Sequence, residues 1–398
     1  MRNEDIFRQR GVMTQQTGTN KDNTVFVTAT NLVTPLGFTT GENFANLEKG
    51  LTGVKQHINP AISPIPFAAA MFEKDVFAAD GTYTRFEQLL IAAIAGILQQ
   101  SGLQAGDDKT ILVISSTKGN IGLLETQAHT EKMKQRIALH TSAAMMRSHF
   151  GFKHQPIVVS SACISGVSAL LTASRLIRSG VYHNVIVAGA DIVSRFVVTG
   201  FQSFQALSPD LCRPFDKDRS GINLGEGAAA VALSRTGRYA DDVIVAGGAV
   251  SDDANHISGP SRTGDELGTA VKSAMREAGL QAKDIGMISA HGTATLYNDE
   301  MEASAINFAG LGHAPLNSLK GYYGHTLGAA GLIESIVAIQ GMRSGVIIPT
   351  LGFENAGTMP VNVCSSLIHK PIDHALKTAS GFGGCNAAII FSKMQGVE

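Results

Sequence analysis

Apolar positions along the chain fall into short β-branched runs separated by stretches of helical spacing, and this alternation predicts the elements. Runs suited to buried strands cover residues 25–28, 110–114, 157–159, 185–191 (VIVAGAD) and 243–250 (VIVAGGAV). Helical patterns cover 42–49, 86–100 and 267–278. A further helix follows residue 163, where Val167, Leu170, Leu171 and Ile177 share one face. Strands alternating with helices imply an α/β layered fold with mainly parallel pairing.

The second half of the chain repeats the plan of the first. The run at 243–250 restarts the pattern as 25–28 began it. His291 stands just past a strand that corresponds to the one ending before Ser115. Cys163 has Gly166 three residues on and RSG at 178–180, and His325 has Gly328 three residues on and RSG at 343–345. A duplicated α/β unit follows, with residues 24–240 as the half holding Cys163 and 241–398 as the half holding the two histidines. Residues 1–23 are polar, lack an apolar signal core, and are expected to form a mobile extension.

A net charge of −1 over 398 residues leaves no electrostatic footprint for nucleic acid or a membrane surface. The longest apolar run, 89–98, is too short to span a bilayer, so a cytoplasmic protein is expected. Cys163, Cys212, Cys364 and Cys385 are widely separated and form no metal-like cluster, so neither a metal site nor a disulfide framework is expected.

The chemistry gathers on glycine-flanked loops at strand ends. In PIVVSSACISG, Cys163 lies where a strand gives way to a helix; unpaired N–H groups there favour an anion, predicting a thiolate of depressed pKa and a place for an oxyanion. The alternative is a small core cysteine. HGTATLYNDEME (291–302) places Asp299 and Glu302 at helical spacing after His291. SLKGYYGHTLGAAG (318–331) places Lys320 five residues before His325, and SGFGGCN (380–386) is a third loop dense in glycine. Two histidines, a lysine and a cysteine so placed point to chemistry rather than packing.

These motifs resemble the β-ketoacyl-acyl carrier protein synthases, elongating condensing enzymes of the thiolase fold, over residues 24–393. The resemblance implies a layered α-β-α-β-α architecture and a decarboxylative Claisen condensation. Cys163 would accept the acyl group, with His291 and His325 as the catalytic pair, Lys320 as the motif lysine, and Asp299, Glu302 and Glu334 in support. The N–H groups of Cys163 and Phe382 would form the oxyanion hole. Phe382, Gly383, Gly384 and Asn386 would form a gate, Thr293 and Thr295 would hold pantetheine, and RPFDKDRSGINLGEGAAA (213–230) resembles the family's mobile loop. Substrates would ride on the phosphopantetheine of an acyl carrier protein, with no other cofactor. Phe201 and Phe204 are candidates for the acyl pocket or for the core. Lys132, Lys134 and Arg136 are candidates for carrier docking or for a solvated helix face. A homodimer is implied, with a heterodimer as the alternative; the rival identities are a chain-length-factor-like subunit and a thiolase. The chain departs from the family's pattern at Tyr322, Tyr323, Ser380, Cys385 and the 115–120 loop SSTKGN.

Overall fold

The computed structural model describes residues 23–73, 76–77, 81–237, 243–255 and 259–394. The expected extension, apart from Asn23, and the expected boundary at 240/241 lie outside the described residues. Ten strands form the main sheet: β1 (Phe26–Val33), β2 (Thr110–Ser115), β3 (Ile157–Val159), β4 (Asn184–Asp191), β5 (Gly227–Ser234), β6 (Val243–Asp252), β7 (Met287–Ser289), β8 (Leu316–Asn317), β9 (His374–Ser380) and β10 (Cys385–Lys393). Their order in space is β3-β2-β4-β5-β1-β6-β10-β9-β7-β8. Outward from the centre, one half runs β1, β5, β4, β2, β3 and the other β6, β10, β9, β7, β8, the same topology twice. The halves meet where Phe26 of β1 faces Ile244 of β6.

Pairing is mixed rather than mainly parallel. β4/β2/β3 and β9/β7/β8 are parallel, but β1/β5, β5/β4, β6/β10, β10/β9 and β1/β6 are antiparallel. The glycine-dense run 381–384 between β9 and β10 is too short for the crossover that parallel neighbours need, so it closes a hairpin.

The helices used below are α1 (Arg85–Ser101), α2 (Glu131–Ile137), α3 (Ser165–Arg178), α4 (Arg195–Ser203), α5 (Asp265–Ala278), α6 (Leu296–Phe308) and α7 (Ala330–Ser344). α1 covers the outer face of the first half-sheet with Phe86, Leu89, Leu90 and Ile94. α5 and α6 cover the second with Leu267, Val271 and Met301. α3 and α7 lie between the half-sheets in the largest core cluster, giving the expected α-β-α-β-α layering. α7 is buried on nearly every side, as a helix apolar all round must be.

The two central helices cross with backbone against backbone. A Cβ on Gly166 would stand 2.5 Å from the Leu332 nitrogen, and one on Gly331 would stand 3.0 Å from the Val167 nitrogen. The repeated RSG has a reciprocal purpose. Arg178 at the end of α3 donates to Val245 O (2.8 Å) on β6, and Arg343 at the end of α7 donates to Val27 O (3.0 Å) on β1. Each half thus reaches into the first strand of the other. Among the described residues, no helix is long and apolar enough to cross a membrane.

Gly166→Ala is expected to cost about 1–3 kcal/mol, because the new methyl meets backbone that cannot rotate aside. Gly200→Ala in α4, where nothing lies within 4 Å, is the control and is expected to hold or gain stability. Urea midpoints measure both; a G166A midpoint equal to wild type would remove the helix crossing as a constraint.

Candidate active site

Cys163 is carried on a strained turn between β3 and α3. Ala162 before it takes φ 43°, a left-handed value uncommon outside glycine. The turn is locked by Ser165, whose Oγ accepts from Ser161 N (2.8 Å) and donates to Ala162 O (2.6 Å). His325 enters from the other half. Its N–H donates to Asn223 O (2.7 Å) and its carbonyl accepts from Gly225 N (3.0 Å), so its main chain is gripped on both sides. Gly324 permits this: at φ 64°, a Cβ there would stand 2.1 Å from Leu224 O. The result is a contact of 2.9 Å between His325 Nε2 and Cys163 Sγ.

His291 completes the group. Its ring centroid lies 5.4 Å from that of His325, nearly perpendicular to it, and a ring nitrogen of each lies with Cys163 Sγ inside a 4.8 Å cluster. The expected acidic residues shape the loop rather than face the cavity. Glu302 accepts from His291 N (2.8 Å), Gly292 N (2.7 Å) and Thr378 Oγ1 (2.6 Å), and Asp299 accepts from Thr293 N (2.8 Å) and Phe215 N (2.7 Å). Lys320 donates to His291 O (2.9 Å) and is ion-paired with Glu334.

Two supporting residues escaped the sequence reading. Asp191, at the end of β4, accepts from Ser116 Oγ (2.7 Å), Thr117 N (3.0 Å) and Gly328 N (2.7 Å), tying the atypical 115–120 loop to the turn behind His325. Lys377 in β9 is fully buried and ion-paired with Glu334 at 2.6 Å. Their signal was present as charge inside otherwise buried strands, in VIVAGAD and HALKTAS.

Above the three reactive side chains opens a cavity of about 480 Å³. Phe201 and Phe204 line it, and Phe201 also packs against the core cluster that holds Val197 and Val198. Phe382, at the tip of the β9–β10 hairpin, stacks on Phe201 (5.8 Å between centroids) and tilts against Phe204 (5.3 Å). Gly383 and Gly384 take φ 90° and 80°, and a Cβ on Gly384 would stand 1.8 Å from Asp253 O. Asn386 braces the hairpin, accepting from Ser380 Oγ (2.7 Å) and donating to Gly384 O (3.1 Å). A Cβ on Gly381 would stand 3.0 Å from the Cys163 nitrogen, so this loop lies directly against the main chain of Cys163. Thr293 and Thr295 also line the cavity, their hydroxyls 2.9 Å apart; Thr295 precedes α6 without capping it by its side chain.

Several expectations need correction. Burial pushes the Cys163 thiol up to about 12, and Cys385 and Asp191 act in the same direction. No depressed thiolate is present at rest. α3 begins two residues later, and the N–H groups of Ile164 and Ser165 already donate to Ser161 O and Ala162 O. Burial first, then Lys320, holds both His291 and His325 well below the usual imidazole range, while burial raises Asp299 to about 6. The resting site is therefore a neutral thiol facing two neutral imidazoles. Arg136 is not a free surface charge: it turns inward from α2 onto Glu87, a fully buried carboxylate of α1 that needs a counter-charge. Lys134 pairs with Glu131 at the surface, and Lys132 is exposed. Tyr322 and Tyr323 pack in the central core rather than along the cavity.

Residues 22–238 match the family model for the β-ketoacyl synthase N-terminal domain, and residues 242–354 match that for its C-terminal domain. The chain belongs to the β-ketoacyl synthase family. This synthase is 29% identical to 3-oxoacyl-[acyl-carrier-protein] synthase 2 of Vibrio cholerae serotype O1, over 93% of its own length and 99% of that protein. It is 30% identical to nodulation protein E of Rhizobium sp. (strain N33), over 79% of its length and 83% of that protein. Among solved structures, the ishigamide ketosynthase/chain length factor superposes with a TM-score of 0.84 at 26% identity, covering 93% of this chain and 99% of that one. A β-ketoacyl synthase from Burkholderia phymatum STM815 gives the same TM-score and identity, covering 94% and 100%.

A thiol held up to about 12 should alkylate slowly and with no low-pH plateau. The rate of carboxamidomethylation at Cys163, read by peptide mass, is expected to climb about tenfold per pH unit across the neutral and mildly alkaline range. A plateau already reached below neutral pH would mean that a preformed thiolate exists.

Proposed function

We propose that this synthase catalyses decarboxylative Claisen condensation of an acyl thioester with a malonyl thioester, both delivered on the phosphopantetheine arm of an acyl carrier protein. The 2.9 Å contact between Cys163 and His325, with His291 on the same cavity, carries this reading. In the first half-reaction the thiol proton passes to His325 Nε2 only for the moment in which Cys163 Sγ attacks the acyl carbonyl, because burial and the nearby lysines oppose a lasting charge on that ring. The tetrahedral oxyanion is received by the N–H groups of Cys163 and Phe382. The pantetheine thiolate leaves and recovers the proton from His325, and the acyl group stays on Cys163.

In the second half-reaction the malonyl thioester loses carbon dioxide, and the electron pair of the broken C–C bond passes into an enolate. Neutral His291 donates one N–H to the enolate oxygen, and His325 donates a second once its own proton has shifted from Nδ1 to Nε2, a stabilisation needed only once that charge develops. The carbanion attacks the acyl-Cys163 carbonyl, the Cys163 thiolate departs, and water reprotonates it. Thr293 and Thr295 hold the pantetheine amides, and Phe382 with Gly383 and Gly384 forms the gate through which the arm enters. A non-extending partner subunit would have no use for an intact Cys163–His325 pair, and the paired histidine loops speak against a thiolase.

A second copy pairing along β3 is the assembly we favour, because β3 is an edge strand whose three residues are all only partly buried. A chain-length-factor subunit on the same edge is the alternative, a chain length factor being named with the ketosynthase in the similar ishigamide structure.

Cys163→Ala is expected to abolish condensation, whereas Cys163→Gln should still decarboxylate the malonyl carrier. His291→Ala should lower decarboxylation about 10²–10³-fold, the range for loss of one oxyanion donor, while leaving acylation of Cys163 nearly intact. His325→Ala should damage both half-reactions. Equal damage to both halves by His291→Ala would make that loop structural.

A further inference from the structure

Lys377 has no part in the steps above, yet it is among the largest fully buried side chains of the protein. Its Nζ donates to Ser289 O (3.2 Å) and Ala290 O (3.0 Å), the two carbonyls that immediately precede His291, and meets Glu334 Oε2 at 2.6 Å. Lys320 takes the other oxygen of Glu334 and also bonds His291 O. One carboxylate therefore bridges two ammonium groups, and together those ammonium groups bond three successive carbonyls of the chain carrying His291. Desolvating a buried ammonium is costly and a single carboxylate cannot neutralise two: burial first lowers the pKa of Lys377, Glu334 pulls it back up, and Lys320 lowers it again. Space filling at this position would need only an apolar side chain.

We propose that Lys377 is a positioning residue for the condensation: it fixes the main chain that carries His291 and, with Lys320, holds positive charge behind both imidazoles. This rests on the condensing reading of the site. The imidazoles face each other and the Cys163 thiol, and the ammonium groups of Lys320 and Lys377 lie behind, on the carbonyls of the chain that carries His291. Behind them stand the carboxylates of Glu334, of Glu302 on His291 N, of Asp299 on Thr293 N, and of Asp191 on Gly328 N. A third positive charge on either ring is opposed by both lysines, and Lys377 acts on each imidazole in the same direction as burial and Lys320. The histidines thereby enter the second half-reaction as neutral donors that keep their N–H while the enolate forms.

The sign of the effect makes it testable. Lys377→Met keeps much of the volume and removes the charge, so both imidazoles should titrate about one pH unit or more higher, read by NMR of ¹³C-labelled histidine. The acid limb of malonyl-carrier decarboxylation should move up with them. The charge-balanced double variant Lys377→Met/Glu334→Gln should bring the titration back toward wild type. If the single variant does not fold, Glu334→Gln compared with the double variant isolates the same lysine, and the double should titrate higher than Glu334→Gln. Unchanged titration on removing Lys377, with activity lowered equally at every pH, would reduce it to a packing residue. A wild-type protein that titrates as expected but does not decarboxylate malonyl-carrier would instead overturn the condensing reading and leave the electrostatic role of Lys377 standing.

Discussion

Everything at the site depends on how closely α3 and α7 approach. With glycine at 166 and 331, main chain touches main chain, and no side chain can hold the helices apart. Cys163 lies just before one helix and His325 just before the other, so the crossing sets the distance between sulfur and imidazole. Neither half-chain contains the reactive pair by itself. The pair exists because two copies of one α/β plan are packed about their shared centre, and Arg178 and Arg343 tie each copy into the first strand of the other.

The second constraint is electrostatic. The charges of the site, Lys320, Lys377, Glu334, Glu302 and Asp299, stand behind the loops, where main-chain N–H and C=O groups and opposite charges satisfy them. The atoms that face the cavity are neutral at rest. Buried ions are expensive and contribute little stability of their own, so this arrangement makes sense as preorganisation. Charge appears in the cavity only when a substrate brings it or a reaction step creates it. The same logic explains why the thiol is not ionised in advance: burial, Cys385 and Asp191 all oppose a thiolate there, so its proton leaves only at the moment of attack, toward His325.

Much of this was legible in the order of residues. The strand and helix patterns placed most elements of the two half-sheets, and the echo between Cys163-Gly166-RSG and His325-Gly328-RSG pointed to the duplication. The reasons for the echo were not legible, because close helix contact and reciprocal arginine bonds are tertiary facts. Mixed pairing is not legible because alternating strand and helix patterns carry no signal for β5, which runs antiparallel to both its neighbours, or for the hairpin at 381–384. Arg136 looked like a surface charge because its partner, Glu87, lies 49 residues away. Asp191 and Lys377 were passed over because a charge at the end or middle of a buried strand has no local partner in the sequence. Ionisation of Cys163 was misjudged for a related reason: helix position is local and readable, whereas burial depends on the whole fold.

Intact mass spectrometry through a single turnover tests the account most directly. Incubation with an acyl carrier thioester should add one acyl mass, located on Cys163; malonyl-carrier should then remove it and yield carbon dioxide and a carrier-bound product longer by two carbons. An acyl group that never forms on Cys163, or one that malonyl-carrier leaves in place or water alone releases, would contradict it.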